Sequence, residues 1–248
     1  AVAIVKHLEN FSKKITLLTM LGEKMEYRNK IKKEIFKTTR LEIINKKNSN
    51  TIIKKRYLDE ISNNKLLGVY EINDDNLNLS DEKKLQRKLK NIIPQYDLVI
   101  VSDYGHGFIS TKSAKLISKL SKYLALNAQI NSSNVGYHTL KNYRNTDCLI
   151  INEKEIRHEL RNRKGKVEIL MKNLSKLQNI SNLIVTQGTE GSILYNKKRN
   201  RFHYCDAFSK TAIDKIGAGD TMLSVIGLCL KNKIDPDLSL LLSSLAAA

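Results

Sequence analysis

The stretch 97–102, Asp-Leu-Val-Ile-Val-Ser, decides the fold class of this sequence. It is a near-continuous apolar run of strand length, which is typical of a parallel strand covered on both faces. Two similar runs follow at 148–151 and 182–186, and helical spacing occupies 81–91, 111–125 and 164–178. This alternation of strands and helices predicts an α/β fold, doubly wound around a mostly parallel sheet.

The N-terminal part of the chain has a different pattern. A helix is predicted over 1–13, a buried strand over 15–21 and a second helix over 23–37. Between 41 and 72, β-type runs at 51–58 and 66–70 flank the turn-rich stretch 62–64. We expect these runs to form antiparallel strands in a small sheet apart from the main body.

Length and composition exclude several classes of protein. A chain of 248 residues with 41% hydrophobic and 27% charged residues is neither disordered nor a disulfide-stapled module. No apolar run approaches the ~20 residues of a membrane-spanning helix. The three scattered cysteines fit reduced thiols and a cytoplasmic location. Both ends fall inside helical patterns, so we expect an interior piece of a longer protein.

The net charge of +18 leaves two kinds of partner open, nucleic acids and small phosphorylated anions. A coding sequence rich in A and T would produce the same excess of lysine. The basic residues are spread along the chain, and an aromatic content of 6% without tryptophan is too low for a row of base-stacking platforms. We therefore expect no nucleic-acid partner.

The most informative motif is 214–220, Asp-Lys-Ile-Gly-Ala-Gly-Asp, which runs directly into an apolar helical pattern. Its glycines lie at a helix N-terminus, where unpaired N–H groups and the helix dipole form an anion site. Asp220 would lie beside a bound phosphate, where its carboxylate could take the proton of an attacking hydroxyl. The alternative is a glycine-lined turn before a helix with an acidic start.

Two further polar turns follow predicted strands. Asn152 and Glu155, three residues apart at a helix start, could present oxygens to a hydrated Mg²⁺, or could simply cap that helix. The turn 186–191, Thr-Gln-Gly-Thr-Glu-Gly, could line the phosphates or ribose of a nucleotide. A tight hairpin turn explains its composition nearly as well.

The turn 102–107, Ser-Asp-Tyr-Gly-His-Gly, is the fourth such element. Asp103 could reach a metal-bound water or a phosphate-bearing lysine, and His106 is expected at the surface or at the rim of a crevice. All four turns follow strands that are expected to be parallel. They should therefore meet at one edge of the sheet, where ligands bind in such folds.

Together these residues resemble the ribokinase-like, or PfkB, family of sugar kinases. Within it, the likeness is greatest to the kinase domain of the bifunctional heptose-7-phosphate kinase/adenylyltransferases. The motif 214–220 is similar to the family signature Asp-x-Thr-Gly-Ala-Gly-Asp, and 101–105 is similar to the Ser-Asp-Tyr turn of the heptose kinases. Asn152 and Glu155 match an Asn-x-x-Glu element associated with Mg²⁺.

The resemblance implies ATP-dependent phosphorylation of a hydroxyl on a sugar phosphate, with a heptose 7-phosphate as the acceptor. It implies a partial kinase domain over 1–248, with a β lid at about 41–72 that closes over the sugar and could pair with a second subunit. The implied roles are the base for Asp220, an anion hole for Gly217, Ala218 and Gly219, ATP contacts for Thr186, Gly188, Gly191 and Asp214, and Mg²⁺ contacts for Asn152, Glu155 and Asp103.

The sequence also departs from the family pattern. Ile216 replaces the signature threonine, His106 replaces a lysine common in heptose kinases, and Asn-Ala-Gln at 127–129 replaces Asp-Pro-Lys. Three alternatives stay open: Ile216 and the stretch 127–129 motivate a degenerate domain, the net charge motivates a nucleic-acid binder, and a sugar-contacting turn would distinguish another acceptor. The chain could be a kinase for another sugar phosphate or a nucleoside, a degenerate kinase-like domain that only binds its ligand, or a nucleic-acid binder.

Overall fold

A computed structural model describes residues 1–60, 65–129, 140–208 and 217–248. The strands are β1 Thr16–Gly22, β2 Arg40–Lys46, β3 Ile53–Leu58, β4 Lys65–Glu71, β5 Val99–Asp103, β6 Leu124–Ala128, β7 Cys148–Asn152, β8 Asn182–Thr186, β9 Ser192–Asn196 and β10 Arg201–Cys205. The α-helices are α1 Val2–Leu8, α2 Arg28–Glu34, α3 Leu79–Ile92, α4 Thr111–Leu120, α5 Glu153–Glu159, α6 Val167–Gln178, α7 Ala218–Lys231 and α8 Pro236–Ala247.

The main sheet contains six strands in the order β10-β9-β8-β7-β6-β5. Strands β5 to β8 are parallel, while β9 and β10 are antiparallel to their neighbours. In register, Asp103 lies opposite Ala128 and Asn152 lies opposite Thr186. The last residues of the parallel strands are therefore aligned, and the turns that follow them leave from one edge of the sheet.

Alternate residues of the central strands pack into two separate cores. In β7, Leu149 and Ile151 face the core shared with α3, α4, α5 and α6, whereas Cys148 and Ile150 face the core shared with α1, α7 and α8. Helices thus cover both faces of the sheet, which explains why its strands are apolar without interruption. This confirms the predicted doubly wound α/β fold.

Helix α7 lies unusually close to the sheet at Gly227. A Cβ placed on this glycine would stand 3.0 Å from the Cβ of Ala125 in β6. The small size of Gly227 and Ala125 therefore sets the distance between α7 and the sheet. Within the described ranges, neither this helix nor any other has the combination of length and apolar character that crossing a bilayer requires.

The predicted helix over 111–125 was wrong at its C-terminal end. Helix α4 stops at Leu120, and Ser121 takes an extended conformation. Leu124 and its successors form β6, a strand inside the main sheet. The apolar run of β6 continues the helical spacing of α4, so periodicity could not separate the buried strand from the helix.

The segment 41–72 contributes to two small sheets. Strands β3 and β4 form an antiparallel hairpin separate from the main sheet, which confirms the expectation for 51–58 and 66–70. Residues 41–46 instead belong to β2, which pairs in parallel with β1. The predicted turn at 62–64 lies outside the described residues.

Candidate active site

Asp220 lies in the first turn of α7 and faces the end of β5. Its Oδ1 accepts a hydrogen bond of 3.2 Å from the Ser102 hydroxyl. The Tyr104 hydroxyl lies 3.4 Å from both carboxylate oxygens. The side chain of Asp220 remains 15% exposed, so it is held in place and still reachable.

The sequence shows Ser102 and Tyr104 only as parts of a turn and predicts no site role for either of them. The available signal was their spacing, since residues two apart at the end of a strand point the same way. Burial raises the pKa of the Tyr104 hydroxyl, and the negative charge of Asp220 raises it further. Tyr104 therefore keeps its proton and acts as a donor toward the carboxylate.

The N-terminus of α7 is open toward the same edge of the sheet. Gly217 is the N-cap residue with φ +96°, a backbone conformation that favours glycine. The first-turn N–H groups, those of Ala218 and Gly219 included, have no acceptor within the helix. A Cβ added to Gly217 or Gly219 would meet no atom of the described residues within 4 Å, so the space beside these two glycines is open there. A phosphate group fits this arrangement. Asp214 lies outside the described residues.

The turn 186–191 joins β8 and β9, so the hairpin alternative is confirmed. Gly191 has φ +96°, and a Cβ there would overlap the carbonyl oxygen of Cys205. Gly188 has φ +64°, and the space beside it is open. Gly191 is therefore required by the fold, whereas Gly188 leaves room for a ligand.

Asn152 and Glu155 form a capping box at the start of α5. The Asn152 Oδ1 accepts the Glu155 N–H at 2.9 Å, and the Glu155 Oε2 accepts the Asn152 N–H at 2.8 Å. The helix-capping alternative is thus realised. In the described part of the chain, no group of three or more His, Cys, Asp or Glu side chains is placed to hold a metal ion.

Asp103 is buried and shapes the turn that follows β5. Its Oδ2 accepts a 2.7 Å hydrogen bond from the Tyr143 hydroxyl, and its Oδ1 accepts the Gly105 N–H at 3.0 Å. Burial raises the pKa of Tyr143 well above its usual value, and the charge of Asp103 adds to the effect. Tyr143 therefore remains protonated and holds the carboxylate in one orientation.

His106 is only 8% exposed, which excludes the surface position, one of the two positions expected for it. Its Nδ1 lies 2.8 Å from Asp74 Oδ1, in the connection that follows β4. Burial and the nearby charge of Lys54 lower the pKa of the imidazole, although the carboxylates of Asp74 and Asp103 oppose the shift. A single histidine in a polar turn gave no sign of this distant partner.

The two ends of the β3–β4 hairpin are joined by Lys46. This buried lysine at the end of β2 donates hydrogen bonds to the backbone oxygens of Asn73 at 2.8 Å and Asp75 at 2.6 Å. The connection that follows β4 also contacts Gly107, whose carbonyl oxygen accepts the Leu77 N–H at 3.3 Å. The hairpin is therefore anchored beside the turn that carries Tyr104.

Comparison with known proteins agrees with this geometry. The chain is 31% identical over 170 residues to the bifunctional protein HldE of Campylobacter curvus, an alignment that covers 67% of this chain and 35% of that protein. It is 29% identical over 164 residues to HldE of Campylobacter fetus, with 65% and 34% covered. An uncharacterized sugar kinase of Buchnera aphidicola is 26% identical over 235 residues, with 93% and 71% covered. The aligned regions span about a third of the length of the HldE proteins.

Solved structures share the fold at low sequence identity. Phosphofructokinase-2 from Escherichia coli superimposes with a TM-score of 0.77 at 11% identity, covering 99% of this chain and 80% of that one. Ribokinase from Giardia lamblia gives a TM-score of 0.73 at 19% identity, with 99% and 80% covered. The family described as pfkB family carbohydrate kinase matches residues 1–248. This chain therefore belongs to the pfkB family of carbohydrate kinases.

Proposed function

We propose that this protein transfers the γ-phosphoryl group of ATP to a hydroxyl of a sugar phosphate, and that the acceptor is a heptose 7-phosphate. The observation that carries the proposal is the Asp220 carboxylate, positioned by Ser102 and Tyr104 beside a glycine-lined helix N-terminus. The heptose assignment is supported by the Ser-Asp-Tyr turn at 102–104 and by the similarity to HldE proteins.

The proposed reaction is an in-line displacement at the γ-phosphorus. The acceptor oxygen forms a bond to phosphorus, the bond from phosphorus to the β–γ bridging oxygen breaks, and ADP leaves. Asp220 takes the proton that the hydroxyl loses. The N–H groups of Gly217, Ala218 and Gly219 stabilise the charge on the phosphoryl oxygens.

The nucleotide is placed along the neighbouring turns of the same edge. Gly188 offers open space for it, Gly191 holds the shape of the turn, and Thr186 and Asp214 stay predicted contacts. The oxygens of Asn152 and Glu155 suit Mg²⁺ or the waters around it, and Asp103 stays a predicted contact. When bound, Mg²⁺ would neutralise charge on the phosphates.

We further propose that the β3–β4 hairpin is the lid of the site and the contact surface of a homodimer. Its outward face carries exposed apolar side chains beside Lys55: Leu67 is 56% and Val69 45% exposed, and Tyr57 lies directly opposite Leu67. Apolar surface of this kind on a two-stranded sheet is stabilised by burial against another chain. A second copy presents the same surface and buries both.

Replacing Leu67 with aspartate is expected to dissociate this dimer. A carboxylate in the centre of an apolar interface must be desolvated, so the dissociation constant should rise at least about tenfold. Sedimentation velocity over a range of protein concentrations measures it. Leu177→Asp, at a 70% exposed position of α6, is the matched control and should dimerise like the wild type. Monomeric wild-type protein at high concentration would contradict the interface.

The kinase proposal is tested by ATP consumption against a panel of sugar phosphates, free sugars and nucleosides. We expect turnover with a heptose 7-phosphate and one new phosphate ester signal in the phosphorus NMR spectrum of the product. Turnover with a hexose phosphate or nucleoside instead would correct the acceptor. Ligand binding without consumption of ATP would favour the degenerate binding domain and overturn the kinase assignment. ATP and reduced thiols are both cytosolic, and we propose that compartment.

A further inference from the structure

Helix α1 packs beside the first turns of α7. Ile4 and Leu8 of α1 belong to the apolar core that also contains Met222 and Ile226 of α7. His7 and Leu8 are three and four residues after Ile4, so the three side chains share one face of α1. The half-buried imidazole of His7 is therefore directed toward the N-terminal turn of α7.

A chain of two hydrogen bonds leads from this imidazole to the N-cap of α7. The Nε2 atom of His7 lies 2.9 Å from the hydroxyl oxygen of Thr221. That hydroxyl donates to the carbonyl oxygen of Gly217 at 3.1 Å. Because the hydroxyl has one proton and the carbonyl oxygen can only accept, the imidazole is the donor to Thr221. The His7 Nε2 therefore carries a proton.

The carbonyl group of Gly217 is held by two hydrogen bonds from the same residue. It accepts the Thr221 N–H at 2.9 Å, as the first backbone bond of α7, and the Thr221 hydroxyl in addition. A carbonyl oxygen has two lone pairs, so it can accept both. Glycine is the most flexible residue, and this one lies at φ +96°. The side-chain bond therefore restricts the backbone where it is otherwise freest to rotate.

We propose that His7 is a positioning residue for phosphoryl transfer, acting through Thr221 on the N-terminus of α7. The inference rests on the proposed function. Backbone donors stabilise a transition state when they are already oriented before charge develops on it. Glycines allow the phosphoryl group to approach closely but leave the backbone free to turn. The Thr221 side chain removes this freedom at Gly217, and the His7 imidazole fixes the rotamer of Thr221.

Packing alone makes a different prediction for His7. If the imidazole only fills space between α1 and α7, leucine should replace it without loss, because leucine keeps the bulk. If the imidazole acts as a donor, glutamine should replace it, because its side-chain amide can supply an N–H at this place. Lys6→Leu is the matched control on the same helix. Lys6 is exposed and pairs with Glu34, a surface pair that contributes about 0–1 kcal/mol.

The first test measures steady-state kinetics of these variants in the full chain, with ATP and heptose 7-phosphate. Loss of one neutral hydrogen bond should lower kcat about 3- to 10-fold in His7→Leu. The KM for the acceptor should change by less than about twofold, because the lost interaction serves the transition state. His7→Gln should stay within about twofold of the wild type, and Lys6→Leu should match it.

The pH profile separates a donor from a proton acceptor. Nε2 carries a proton in the imidazolium ion as well as in the neutral tautomer found here, so titration of His7 leaves the bond to Thr221 intact. His7→Gln should therefore show the same pH dependence of kcat as the wild type. Disappearance of an ionisation from the profile of His7→Gln would overturn the positioning role and assign His7 to proton transfer.

The second test does not require turnover. Hydrogen exchange of the Thr221 amide, followed by NMR, reports directly on the bond to Gly217 that begins α7. Its exchange should be about 3- to 10-fold faster in His7→Leu than in the wild type or His7→Gln. Amides in the middle of α7, such as that of Ile226, should exchange at unchanged rates. Equal acceleration of both amides would indicate general loosening of α1 and would overturn the proposal.

A double-mutant cycle tests whether His7 acts through Thr221. Thr221→Val keeps the shape of the side chain and removes the hydroxyl, so adding His7→Leu should lower kcat no further. Additive losses would overturn the proposed route, as would a wild-type kcat in His7→Leu or equal losses in His7→Leu and His7→Gln. If the Thr221 amide responds as expected but no acceptor is phosphorylated, the hydrogen-bond chain stands and the kinase proposal fails.

Discussion

Asp220→Asn is expected to lower the rate of phosphoryl transfer by about 10²- to 10⁴-fold, because the amide cannot accept the proton of the attacking hydroxyl. The substitution keeps the size of the side chain and its contacts with Ser102 and Tyr104. It leaves the N–H groups at the start of α7 in place, so the dissociation constant of ATP should change by no more than a few-fold. Single-turnover kinetics and equilibrium nucleotide binding measure the two effects separately.

The matched control is Asp97→Asn, which removes a carboxylate of the same size at a position remote from the chemistry. Asp97 is exposed and pairs with Lys122 at 3.4 Å. Such a surface pair contributes about 0–1 kcal/mol, and the variant should be fully active. A rate for Asp220→Asn above about a tenth of the wild-type rate would remove Asp220 from the role of base.

Gly107→Ala is expected to destabilise the protein by about 3 kcal/mol, which corresponds to roughly 6–12 °C in melting temperature for a chain of this size. Gly107 has φ +73°, and a Cβ there would overlap the backbone oxygen of Asp75. Backbone atoms cannot rotate away, so the connection after β4 must move. The variant should also lose activity, since this connection anchors the hairpin beside Tyr104.

Gly188→Ala serves as the matched control for stability. Its φ of +64° imposes a similar backbone strain, but no atom lies within 4 Å of the added carbon. We expect a loss of about 1–2 kcal/mol from the left-handed conformation alone. Differential scanning calorimetry of the two variants isolates the cost of the collision. Equal melting temperatures would show that the two segments are not in close contact.

Of the four parallel strands of the main sheet, the sequence predicts three that are bounded by polar turns and misses the fourth, β6. β5, β7 and β8 are apolar runs with clear ends, and each lies where it was expected. β6 follows α4 after only three residues, and its Leu124 fits the spacing of the preceding helix. The sequence also does not show that β2 pairs with β1, because the pairing of strands that lie apart in the chain depends on tertiary packing.

For the candidate site, too, the sequence predicts some features and not others. Strand ends place Asp103, Asn152 and Thr186 on one edge, and that follows from the sequence alone. The contact between Tyr104 and Asp220 joins residues 116 positions apart, so it depends on how α7 packs on the sheet. For Asn152 and Glu155, one spacing serves both a helix cap and a metal site, so the sequence could not choose between them.

The close approach of α7 to the sheet at Gly227 also determines where Asp220 lies. Gly227 is seven residues from Asp220, which is two helical turns, about 10 Å, along the same side of the helix. The contact between the backbone of Gly227 and the methyl group of Ala125 therefore sets the position of the Asp220 carboxylate relative to the sheet. A larger side chain at either position would push α7 away from the sheet and move the Asp220 carboxylate away from the end of β5, so both positions are expected to accept only small residues, whatever their polarity.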